Sequence, residues 1–146
     1  MAIELDYDAL IPLDAESLAE AGIGEAYAAL APRLGRYVAR LPAPLEERID
    51  GNLASYSVVC LGTEYPIYGG NAGPGAWGNA TVAFFDLVNR QLADTAHRLF
   101  AVNGGDDLGA LFLTPEQAEN ARKALPRRTD WPYLPVLAPP WYGQPY

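Results

Sequence analysis

Residues Arg98–Leu125 read RLFAVNGGDDLGALFLTPEQAENARKAL, and this stretch decides the fold. Arg98–Asn103 and Leu108–Leu113 are apolar runs of strand length, and Gly104-Gly105-Asp106-Asp107 between them is turn chemistry. The pair predicts an antiparallel hairpin. Thr114-Pro115-Glu116-Gln117 then spells a helix start. Threonine caps, proline fits the first helical position because its missing N–H is not needed there, and glutamine stands where it completes a capping box. The helix is expected to run to Leu125, where Pro126 stops it.

Upstream, the same grammar recurs more faintly. Ser55–Leu61 (SYSVVCL) is rich in β-formers, Gly62-Thr63 can turn, and Glu64–Tyr68 (EYPIY) can return as a strand. Pro66 cannot donate to a ladder, so the return strand belongs on an edge. After a glycine-rich loop, Asn79–Leu92 (NATVAFFDLVNRQL) has helical periodicity, with Val82, Phe85 and Leu92 along its apolar side. From Asp14 to Leu41 the pattern is again helical, with Ile23, Tyr27, Leu30, Leu34, Val38 and Leu41 on one stripe. Asp14 is the expected N-cap, and Gly22, Gly24 and Pro32 are expected to split the segment into two or three short helices. Leu45–Asp50 reads as one further helical turn.

Residues 126–146 are rich in proline and aromatics, a composition that favours an extended tail packed against the body. The whole chain, 146 residues, fits one domain. The expected class is α+β: a largely antiparallel four-stranded sheet from two β-hairpins, helices on one face and an N-terminal helical segment.

Composition narrows the functional classes. Hydrophobic residues make up 50% of the chain and the net charge is −8. That surface repels phosphate backbones, and the one dense basic stretch, Arg122 to Arg128, falls at the end of a helix where it complements the dipole; no nucleic acid is expected. No apolar run approaches bilayer length, so no membrane is expected either. Acids stand near the first methionine where a secretory leader carries lysine or arginine, which points to a cytoplasmic protein. One cysteine, Cys60, and one histidine, His97, leave no basis for a disulfide or a transition-metal site.

Chemistry-bearing motifs are sparse. Gly73-Pro74-Gly75-Ala76-Trp77-Gly78 matches G-x-G-x-x-G, but a dinucleotide site needs a parallel βαβ unit, and Pro74 removes an N–H from the phosphate cradle. A loop that starts a helix is the simpler reading. A Cys60–His97 dyad has no visible orienting partner, and Cys60 sits in an apolar strand as a small hydrophobe. Asp106-Asp107 lacks the further oxygen ligands of a calcium loop and reads as an anionic turn tip. No catalytic residue, cofactor or metal is therefore assigned, and the chain is read as a non-enzyme.

The segment Phe100-Ala101-Val102-Asn103-Gly104-Gly105-Asp106-Asp107-Leu108, running into Phe112-Leu113-Thr114-Pro115-Glu116, resembles small acidic bacterial immunity proteins paired with polymorphic or type VI secretion toxins. That resemblance implies a binding protein that occludes a basic toxin domain acting in the cytoplasm. The residues expected to make contact are Glu64, Tyr68, Trp77, Asp106 and Asp107, acids and aromatics carried on hairpins and the glycine loop. The alternative is a small-molecule or nucleotide sensor using that glycine-rich loop.

Overall fold

In a computed structural model the fold is described for residues 9–52, 54–69, 75–138 and 142–145. The hairpin and helix anticipated in Arg98–Leu125 are present. Strands β5 (Arg98–Val102) and β6 (Gly109–Leu113) pair antiparallel, and α4 (Pro115–Ala124) follows. Thr114 Oγ1 accepts from the Gln117 N–H at 3.1 Å while Gln117 Oε1 accepts from the Thr114 N–H at 2.8 Å, which closes the capping box.

Both strands are apolar without alternation because both faces of this hairpin are covered. Leu99, Ala101, Leu108 and Ala110 enter the main core, whereas Phe100, Val102, Leu111 and Leu113 pack with Ala118 and Ala121 of α4. Its flanks are closed as well. Strand β1 (Ile11–Pro12) pairs with β6, and Tyr133 makes a two-way bridge to Ala101 of β5 at 2.7 and 2.9 Å.

The second hairpin therefore forms its own sheet, and the expected single four-stranded sheet is not what the chain builds. Strands β2 (Leu45–Asp50), β3 (Ser55–Cys60) and β4 (Thr63–Tyr68) make a separate antiparallel sheet in that order. Helices likewise lie on both faces of the first sheet rather than on one. Two corrections concern this second sheet. Leu45–Asp50 is an edge strand, not a helical turn; Glu46, Glu47 and Arg48 are exposed along it, the kind of charged edge that resists pairing with other chains. The turn is Leu61-Gly62, one residue earlier than expected, with φ of 52° and 76°. Positive φ at both loop residues is what a two-residue type I′ hairpin requires. Pro66 does lie on an edge strand, and the register steps past Ile67 beside it as a bulge.

Helix α3 (Ala76–Gln91) lies between the two sheets and packs on β4 and β5. It starts three residues before the expected Asn79, and Phe84, Phe85, Leu87 and Val88 are buried. Being apolar around most of its circumference, it serves as the common core of both sheets. Helices α1 (Ala15–Glu20) and α2 (Ile23–Leu34) pack against it, with Asp14 capping α1 through bonds from Glu16 N at 2.9 Å and Ser17 N at 3.3 Å. Pro32 is accommodated in the last turn of α2 rather than breaking it.

Candidate functional site

The α1 N-terminus, the β5–β6 turn and the start of α3 meet at one surface. Asp14 is fixed as the α1 cap, Glu16 follows in the first turn, and Asp106 stands on a short 3-10 turn spanning Gly105–Asp107. One carboxylate oxygen from each lies within 4.8 Å of those of the other two. A hydrogen bond to Glu20, then the charge of Glu20, raises the Glu16 carboxyl above its ordinary value, and the charges of Asp106 and Asp14 act in the same direction. Asp107 is exposed on the same turn. In the sequence Asp106-Asp107 and the N-terminal acids stand far apart; their convergence depends on β1 pairing with β6, which no local signal announces. The more distal acids Glu4, Asp6 and Asp8 lie outside the described residues.

Trp77 belongs to the same neighbourhood. It lies 42% exposed in the first turn of α3, and with Ala15, Gly78, Gly105 and Tyr142 it lines a hollow of about 180 Å³. Ala15 sits between Asp14 and Glu16, and Gly105 precedes Asp106, so an exposed indole borders the acid cluster.

The glycines of the loop have a structural use. Tyr142 rests on Gly75 and Gly78, where an added Cβ would collide with its ring, and the Gln144 amide rests likewise on Gly104. Gly75 also takes a φ of 88° as the residue before α3. Two of the motif's glycines are thus required by the approach of the C-terminal segment. Gly73 and Pro74 lie outside the described residues.

Glu64 and Tyr68 are placed elsewhere. Glu64 points from the outer side of β4 and accepts from Arg48 Nη1 at 3.0 Å and from Ser57 Oγ at 3.3 Å. Tyr68 is half-buried, with its ring 5.7 Å from that of Tyr56. Neither is brought to the Asp106 turn.

Cys60 is buried, and burial pushes its thiol up, away from thiolate. The His97 ring packs at 4.6 Å on Tyr37. Among the described residues, no helix is long and apolar enough to cross a membrane. The chain matches no family model, no curated protein and no solved structure.

Proposed function

We propose that the protein is an immunity-type binder that occludes a basic bacterial toxin domain in the cytoplasm. The observation that carries this reading is the meeting of Asp14, Glu16 and Asp106 beside the exposed Trp77. Clustered carboxylates in water repel one another and favour any cationic surface that approaches, while an adjacent indole supplies apolar contact area at low entropic cost. The net charge of −8 extends the attraction beyond the patch itself.

On this reading Trp77 and Asp106 form the centre of the contact, with Asp107, Asp14 and Glu16 around them. Glu64 shares its charge with Arg48 and Tyr68 is engaged by Tyr56, so both contribute less. The nucleotide-sensor alternative is disfavoured because Tyr142 occupies the faces of Gly75 and Gly78 that a phosphate would need.

The test is affinity capture from the native cell with two baits, the natural chain and the triple variant Asp14→Asn, Glu16→Gln, Asp106→Asn. Asparagine still caps α1, so the variant removes charge and spares the helix. A basic protein held by the natural chain and lost from the variant supports the proposal. Equal capture by both baits, or no protein held by either, contradicts it.

A further inference from the structure

A second concavity shares no lining residue with the hollow at Trp77. It opens between the segment after α2 and the Leu61-Gly62 turn, floored by the end of α3, and encloses about 490 Å³. That volume falls in the range of small-ligand clefts. We propose that it binds a small molecule with an apolar body and a single carboxylate.

The apolar half of the argument rests on Leu61 and Leu41. Leu61 holds a φ of 52° and remains 46% exposed. That is the first loop position of a type I′ turn, where asparagine or glycine fits without strain. A leucine kept there sacrifices turn stability without gaining burial, and strain of this kind collects at functional sites. Across the cleft, Leu41 is 91% exposed. Tyr37 and Val38 continue the apolar wall.

The anionic half rests on two arginines. Arg90 is held in place by neutral acceptors: Thr63 Oγ1 at 2.6 Å, the Tyr65 hydroxyl at 3.4 Å and the Leu61 carbonyl at 3.5 Å. Its guanidinium forms no direct ion pair among the described residues and is linked to the Asp86 carboxylate through the Tyr65 hydroxyl. Arg40, exposed on the rim, has no hydrogen bond or ion pair among the described residues. In a chain of net charge −8, two guanidiniums at one cleft, Arg40 without a partner among the described residues, favour an anion there. Asp94 also lines the cleft, leaving room for one negative charge rather than two.

The experiment titrates the full chain with 4-phenylbutyrate, with octanoate and with their neutral amides, followed by backbone amide NMR. The acids are expected to shift Leu41, Leu61 and Gly62 saturably, and the neutral amides to bind about tenfold more weakly, as for loss of one charge-assisted hydrogen bond. Arg40→Gln is expected to weaken the acids similarly, and Asp94→Asn to tighten them. Leu61→Asn separates function from folding, because it should raise the melting temperature while weakening binding. No saturable shift at the cleft with either acid up to about 10 mM overturns the proposal. So does equal binding of acid and amide, or a Leu61→Asn chain that binds as before.

Discussion

The Tyr56 hydroxyl donates to Glu47 Oε2 at 2.5 Å and accepts from the Ile23 N–H at 2.8 Å. One phenol thereby ties two strands of the second sheet to the first turn of α2. That helix begins at Gly22, which offers no side-chain cap, so Tyr56 satisfies an N–H that the helix itself leaves open. Gly22 and Gly24 leave the space that the Glu47 carboxylate fills. Tyr56→Phe leaves the buried Ile23 N–H without its acceptor and is expected to cost about 1–3 kcal/mol in urea unfolding. An unchanged midpoint would show that the tie carries no net stability.

Alkali should act through the same group and three others. Burial, the largest cause in each, raises the phenols of Tyr27, Tyr56, Tyr65 and Tyr133, the last to about 12. A group whose folded value exceeds its unfolded value of about 10 stabilises fully below that pH and loses its contribution as pH climbs through the folded value. Stability is therefore expected to hold up to about pH 10 and to fall between there and about 12, with tyrosinate absorbance rising together with loss of the far-UV signal. If every tyrosine ionised near the ordinary value with the fold intact, the packing of these phenols would be wrong.

Two truncations probe the elements flanking the first sheet. Thr114→Ala opens the α4 capping box and should lose about 1 kcal/mol. Phe85→Ala empties a site 1% exposed between the sheets and should lose about 3–5 kcal/mol. Chemical denaturation reads both, and similar losses from the two would contradict their assigned environments.

These two residues also mark how far the sequence could be read. Thr114 and Gln117 signal through neighbours in the chain, as do Asp14 over α1 and Phe85 in its periodic helix, and each is found in the expected element. Leu45–Asp50 misleads because Glu46, Glu47 and Arg48 are good helix formers locally; pairing with β3 and the grip of Tyr56 on Glu47 make it a strand. The split into two sheets was illegible for a similar reason. It follows from Ile11 and Tyr133 closing the flanks of the β5–β6 hairpin from opposite ends of the chain. At the candidate site, Trp77 and Asp106 could be named from residue type and loop position, while Asp14 and Glu16 joined them only through tertiary pairing.

The seat of Tyr142 gives a prediction for the C-terminal segment. Gly78→Ala places a methyl where the ring lies and should lift the segment from α3. Hydrogen exchange at the Val136 amide, which donates to the Tyr142 carbonyl at 2.9 Å, is expected to accelerate while exchange in β5 is unchanged. Unaltered exchange at Val136 would mean that Gly78 is not what admits the ring.

On the proposed function, a basic protein is drawn to the acid cluster and anchored at Trp77. The most direct test is association kinetics of the captured partner across ionic strength, for the natural chain, for Asp106→Lys with Asp107→Lys, and for Trp77→Ala. The expected result is an on-rate that falls with salt, a charge-reversed chain that associates about tenfold more slowly at low salt, and faster dissociation from Trp77→Ala. An on-rate indifferent to salt and to charge reversal, with dissociation unaffected by Trp77→Ala, would contradict it.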